Sequence, residues 1–325
     1  MISGRIAVTL GVVALMAAGQ AGAQQDYPSR PITFVVPYAA GGGSDVLGRV
    51  IAAEMAKVLG QPVVVENKPG AATMIGTQYV AKAKPDGYTL LQAGASFSTN
   101  PFLYDNVSYK LSDFAPISRL ITYQFALATR KELGLDTPAK FQKYAKENPG
   151  KINIGTTGTG SATHLMVEML RRDMDIQMVD VPFNGGAPSL LALLGGNIDA
   201  HVDGLLGVLP HYKSGAINIM GVSGTQRTPV MPDVPTFKES GFPDLVMEPW
   251  MSLLAPAGTP EPIINKLNDA VLTALKTPAV RQAIEKDGNV VAPTTPQQAL
   301  SLLEEDAKRM GDLIKEAGIK ITPKK

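Results

Sequence analysis

Apolar residues in this chain fall into short runs that alternate with stretches of helical spacing. Residues 31–37 (PITFVVP) predict a strand. From 45 to 59, Val46, Leu47, Val50, Ile51, Met55, Val58 and Leu59 recur at helical spacing, and Ser44 or Asp45 is placed to cap that helix. A strand at 63–66, a helix at 72–83, a Pro85-Asp86-Gly87 turn and a strand at 88–92 follow. This β-α-β-α-β order implies a parallel sheet with right-handed crossovers. A second alternation places strands at 152–156, 178–182, 200–203 and 217–222, with helices at 162–172, 187–194 and 205–214. Helices at 260–276, 278–287 and 296–317 finish the chain. Two long extended stretches, 116–128 and 246–256, interrupt the pattern, and the second carries the single tryptophan, Trp250. They are expected to cross between two lobes. The predicted fold is α/β and two-lobed, with residues 24–124 and 251–325 in lobe 1 and 125–250 in lobe 2. Ligands of open α/β sheets bind at the carboxyl ends of strands, so the cleft between lobes is the expected site.

Arg5, an apolar run over 6–19 and Ala21-Gly22-Ala23 have the form of a secretory signal peptide, predicted to span 1–23 and to be cleaved near Ala23. The run is shorter than the roughly 20 residues of a membrane span. The mature chain is therefore expected to be exported, not membrane-embedded, and to act as a monomer. A formal charge of +1 creates no field for nucleic acid. Zero cysteines exclude disulfides, thiolate metal sites and cysteine nucleophiles, and three histidines with no metal-ligand spacing leave no expected cofactor.

Four segments carry candidate chemistry. Tyr38-Ala39-Ala40-Gly41-Gly42-Gly43-Ser44-Asp45 joins a strand to a helix. Its glycines let a backbone approach a ligand, and the helix start offers free N–H groups. A flexible loop with an N-cap is the plain alternative. Gly155 to Leu165 is a second strand-to-helix loop, with Thr156, Thr157, Thr159, Gly160, Ser161 and His164. It suits a hydroxyl- and amide-lined cradle for a small acid, or local capping. Its Gly158-Thr159-Gly160 and Asp180 also leave a dinucleotide reading open. Phe183-Asn184-Gly185-Gly186 exposes backbone amides before a helix, and Asp203 ends a strand, where it accepts from a ligand or caps the next helix. No G-x-S-x-G nucleophile motif is present, although a secreted hydrolase-like α/β enzyme remains an alternative.

Along nearly the whole mature chain the sequence resembles the Bug-type periplasmic solute-binding proteins of tripartite tricarboxylate transporters. The resemblance is carried by Tyr27-Pro28-Ser29-Arg30-Pro31, Val65-Glu66-Asn67-Lys68-Pro69-Gly70-Ala71, Pro85-Asp86-Gly87-Tyr88, His164-Leu165, Val181-Pro182-Phe183, Pro232-Asp233-Val234-Pro235 and Ala255-Pro256-Ala257-Gly258-Thr259-Pro260. It implies a Venus-flytrap fold of the type II periplasmic binder class. It also implies capture of a small carboxylated organic acid for membrane transporter subunits, or for a sensor, without catalysis. The ligand-binding set that follows is Tyr38, Ala40, Gly41, Gly42, Ser44, Asp45, Ala93, Ser96, Thr99, Thr156, Thr157, Gly160, Ser161, His164, Phe183, Asn184, Gly185 and Asp203. Where the family commonly has a basic residue after the Val-Pro-Tyr, this chain has Asn184, and its pocket loops contain no Lys or Arg. Tyr38, Phe97 and Phe183 would lend the cleft an aromatic side.

Overall fold

The computed structural model describes residues 27–38, 40–41, 43–183, 185–316 and 318. The signal peptide, Gly42 and Asn184 of the sequence reading lie outside them. The strands are β1 (Ile32–Val36), β2 (Val63–Asn67), β3 (Thr89–Gly94), β4 (Phe114–Thr122), β5 (Phe125–Arg130) and β6 (Asn153–Thr156). They continue with β7 (Val179–Pro182), β8 (Ala200–Gly204), β9 (Ile217–Val222), β10 (Trp250–Pro256) and β11 (Val290–Val291). The helices are α1 (Gly43–Leu59), α2 (Met74–Ala81), α3 (Ala95–Leu103), α4 (Pro138–Glu147) and α5 (Ala162–Met174). After them come α6 (Gly186–Leu194), α7 (Leu205–Lys213), α8 (Glu261–Ala274), α9 (Pro278–Glu285) and α10 (Pro296–Glu316).

Two sheets form. The first has the order β11-β4-β10-β3-β1-β2, and the second the order β7-β6-β8-β5-β9. The β1–β3 core of the first sheet is parallel, as the βαβ alternation requires, and β10 joins it antiparallel between β3 and β4. In the second sheet β6 runs parallel to β7 and β8, while β5 is antiparallel to β8 and β9. Each sheet buries its own cores. Phe34, Ile51, Met55, Leu253 and Leu267 pack on the first sheet, and Phe141, Leu165, Leu170, Val202 and Met220 on the second.

The predicted extended stretch over 116–128 is two strands, one in each sheet, broken at Tyr123 and Gln124. The return passage runs beside it. Tyr123 N–H donates to Pro249 O at 2.9 Å, Phe125 N–H to Ser223 Oγ at 2.9 Å, and Met247 N–H to Ser223 O at 2.8 Å. The C-terminal helix α10 closes over this seam. Leu303 packs with Trp250 in the first lobe, whereas Met310, Leu313 and Ile314 enter the core of the second. Asp306 of α10 accepts from Trp250 Nε1–H at 2.9 Å and from Ser98 Oγ at 2.7 Å.

Helix α3 was not anticipated. Ser96, Ser98, Thr99, Asn100 and Pro101 are poor helix formers. Tertiary bonds pay their cost: Ser98 reaches Asp306, and Asn100 Nδ2 donates to Ala72 O at 2.7 Å. Of the residues in the implied ligand-binding set, Ala93 thus lies on β3, and Ser96 and Thr99 lie on α3. Ala93 is buried inside β3, and Phe97 belongs to the core with Tyr109 and Phe114. Thr99 Oγ1 donates back to Ala95 O, and Thr99 lines a small recess with Ala162, Trp250 and Asp306.

The loop after β1 takes its shape from Asp45. The buried carboxylate accepts from Gly41 N–H at 2.8 Å, from Arg49 through both Nε and Nη2 at 3.0 Å, and from Asn67 Nδ2 at 2.8 Å. Asn67 Nδ2 also donates to Tyr38 O at 3.1 Å, so one network ties β2 to the loop. Asp45 therefore spends its oxygens on its own lobe and serves as a support for the loop.

Two outcomes are expected. Asp306→Ala leaves the Trp250 indole N–H without its acceptor, while Ser98 Oγ keeps Ala95 O at 3.1 Å, and urea denaturation should show a loss of about 1–3 kcal/mol. Hydrogen bonds from Arg49, Gly41 and Asn67 hold the Asp45 carboxyl down from 3.8 to about 2. A depressed acid contributes stability above its unfolded value and loses it as pH falls through the folded value. The advantage of wild type over Asp45→Asn in thermal denaturation should thus shrink between about pH 5 and pH 2. A gap independent of pH would exclude the carboxylate as its source.

Candidate functional site

Two hollows open between the lobes at the carboxyl ends of the strands. One, of about 370 Å³, is lined by Pro37, Tyr38, Pro69, Gly70, Ala72, Thr73, Ser96, Asn100 and Tyr104 of the first lobe. The 157–161 loop of the second lobe faces them. The other, of about 460 Å³, is bordered by Gly41, Ser44, Val46 and Tyr123 on one side and by Asp203, Gly204 and Leu206 on the other. A larger hollow of about 610 Å³ beside α8, α9 and β11 contains none of the predicted site residues.

The structure thus brings Tyr38, Ser96, Thr157, Gly160 and Ser161 together in the first hollow, and Gly41, Ser44 and Asp203 in the second. Ala40 is exposed nearby, outside either lining. Thr156 is fully buried beneath the site, with no partner for its Oγ1. Phe183 packs with the α6–α7 core, and its N–H donates to Thr156 O at 3.0 Å. Gly185 precedes α6 at φ +105°, which explains the glycine there.

The 157–161 loop is held from within. Thr157 N–H donates to Thr163 Oγ1 at 2.8 Å, and Ser161 Oγ accepts from His164 N–H at 3.2 Å as the N-cap of α5. Gly160 N–H donates to His164 Nδ1 at 2.9 Å. The other ring nitrogen, Nε2, faces Glu168 at 3.6 Å and Asp180 at 3.9 Å. His164 therefore staples the loop through its Nδ1.

Sequence reasoning missed part of the first lobe's wall. Residues Pro69, Gly70, Ala72 and Thr73, with Asn100 and Tyr104, line the first hollow. Ala71, Ala72 and Thr73 hold φ values of +46°, +50° and +74°. Such left-handed non-glycine residues cost of order 1 kcal/mol each. The Asn67-Lys68-Pro69-Gly70 turn signal marked this place, and Asn100 fixes it by gripping Ala72 O.

Among the described residues, no charged side chain lines the first hollow. Burial pushes the Tyr38 phenol up to about 12, so it stays a neutral donor. Burial raises the Tyr123 phenol as well. The second hollow carries Asp203, Lys286 and Asp287. Lys286 comes from just beyond α9, not from the pocket loops, which is why those loops looked free of basic residues. Among the described residues no cluster of His, Asp or Glu is arranged to hold a metal ion, and no helix is long and apolar enough to cross a membrane.

Comparison with known proteins agrees with this architecture. Residues 47–319 match the family model of the tripartite tricarboxylate transporter family receptor. BugT of Bordetella pertussis is 33% identical over 321 residues, 98% of each chain. The solved structure of MatC from Rhodopseudomonas palustris with bound malate is 34% identical and covers 89% of this chain and 100% of its own, with a TM-score of 0.75. R. palustris Rpa4515 with adipate is 30% identical over 91% of this chain and 100% of its own, with a TM-score of 0.81. The fold is the two-lobed, type II Venus-flytrap form of periplasmic binding proteins. On these grounds the chain belongs to the tripartite tricarboxylate transporter receptor family.

Proposed function

We propose that this receptor captures a small carboxylate-bearing organic acid between its lobes, in the periplasm, and delivers it to the membrane subunits of a tripartite transporter. The observation that carries the reading is the first hollow: a lining from both lobes, rich in hydroxyl and backbone groups, with no fixed charge. A buried carboxylate is tolerated only when its oxygens are hydrogen-bonded. Tyr38 and Ser96 from the first lobe and Thr159 from the second supply neutral donors, beside the Thr157 and Ser161 hydroxyls that share Thr163 Oγ1. Closure on the ligand would then desolvate the acid and draw the lobes together. Relatives with bound malate and adipate support the ligand class. In the second hollow Asp203 is suited to accept from a ligand hydroxyl or ammonium, and Lys286 to meet a second acidic group. The receptor family supports binding without turnover.

The test is a thermal-shift panel on ligand-stripped mature protein, with aliphatic di- and tricarboxylates, acidic amino acids, aromatic acids and NAD. A ligand at 100 times Kd adds about 2.7 kcal/mol, a rise of about 4 °C for a chain of this size. One class of acid should give it. A response to NAD with silence from every acid would promote the dinucleotide reading instead. With the acid in hand, Tyr38→Phe and Ser96→Ala should each weaken it about tenfold while leaving the unliganded melting temperature unchanged. Unchanged affinity in both variants would place the ligand elsewhere.

A further inference from the structure

Strand alternation sends Ala200 and Val202 into the core shared with α5, and puts His201 and Asp203 on the opposite face of β8. His201 is fully buried there. Its Nδ1 lies 2.8 Å from Oγ of Ser189, in the first turns of α6, and among the described residues this is the one hydrogen bond of that hydroxyl. Its Nε2 is buried without a hydrogen-bond partner and stands 3.6 Å from Asp203 Oδ2. The other Asp203 oxygen, Oδ1, accepts from Gly204 N–H at 2.8 Å. Glycines make room for this line of groups. A Cβ on Gly155 would fall 2.2 Å from Ser189 Oγ, and one on Gly186 would fall 1.8 Å from Asp203 Oδ2.

Ser, His and Asp in a row suggest a nucleophile, but access is the wrong way round. Ser189 has no exposed surface, so no substrate reaches it. Asp203 is the member that borders the hollow.

We propose that His201 is a positioning residue that pins Asp203 and so sets which acids the receptor prefers. The proposal rests on the reading of Asp203 as an acceptor in the ligand cleft. Ser189 Oγ–H donates to Nδ1, which leaves the ring proton on Nε2, aimed at Asp203 Oδ2. The opposite tautomer would turn a lone pair toward the carboxylate and is disfavoured. At 3.6 Å the contact is longer than a hydrogen bond but within charge–dipole reach. With Gly204 N–H on one oxygen and the imidazole behind the other, the carboxylate presents its remaining lone pairs in one direction. A site with an oriented, desolvated acceptor rejects a ligand that has no donor to offer it. The preferred ligands are therefore acids carrying a hydroxyl or ammonium group, over the same chain without one.

The experiment has two arms. Long-range proton–nitrogen spectra of imidazole-labelled protein at pH 8 read the His201 tautomer directly, because the chain has three histidines and the others are assigned by substitution. Wild type should show the Nε2–H form, and Ser189→Ala should mix the two. An Nδ1–H form in wild type overturns the proposal. In the second arm, malate and succinate serve as probes that differ by one hydroxyl. Wild type should prefer malate; His201→Phe should reduce that preference about tenfold, and His201→Gln, which keeps a donor in place of Nε2, should restore most of it. An unchanged preference in folded His201→Phe also overturns it. If wild type binds neither acid, the ligand reading is at fault, and the spectrum alone decides whether His201 pins Asp203.

Discussion

Two backbone passages, lying side by side, are the constraint on which the site depends. The outgoing passage at Tyr123–Gln124 and the returning one at Met247–Pro249 are bonded to each other and to Ser223. Because they are adjacent, the two sheets are joined through one narrow seam. The seam is not free. Helix α10 contributes side chains to the cores of both lobes and presents Asp306 to Trp250 at the first residue of β10. One helix thus ties the two lobes together beside the seam.

The protein's own carboxylates explain how a site with few cations can still suit an anion. Asp45 is paired with Arg49 and bonded by Gly41 and Asn67, and Asp306 is bonded by Trp250 and Ser98 on one oxygen and paired with Arg309 on the other. Neither projects an unbalanced charge into the first hollow. What remains there is a set of neutral dipoles, including a tyrosine whose raised pKa keeps it protonated. Dipoles fixed by the fold need no reorganisation when a carboxylate arrives, and inside a low-dielectric cleft they act more strongly than in water.

The alternating pattern of strands and helices was legible because period and length both spoke for it. The βαβ order, the crossing stretches and the three loops at strand ends all followed from it. Helix α3 was not legible, since its serines, threonine, asparagine and proline are stabilised by Ala72 and Asp306, distant in sequence. The same distance hid the roles of Ala93 and Thr99. The left-handed run at Ala71–Thr73 defeats propensity for a related reason: Asn100 holds it, not its own residues. His164 and Asp45 were singled out as ligand-binding groups because they follow glycine-rich loops. A sequence does not say whether such a group faces the ligand or the loop's own amides, and here Gly160 and Gly41 claim them.

Gly185 and Gly186 show how far a local motif reaches. Glycines at a helix start suit an incoming anion, because N–H groups and dipole both point outward. The fold has already placed an anion there. Asp203 lies against Gly186 at the start of α6, with Gly204 N–H at the start of α7 on its other oxygen. An external carboxylate finds that place taken by a charge of its own sign. The second lobe thus presents two kinds of surface: the hydroxyl-bearing 157–161 loop at the first hollow, and a carboxylate, Asp203, at the second.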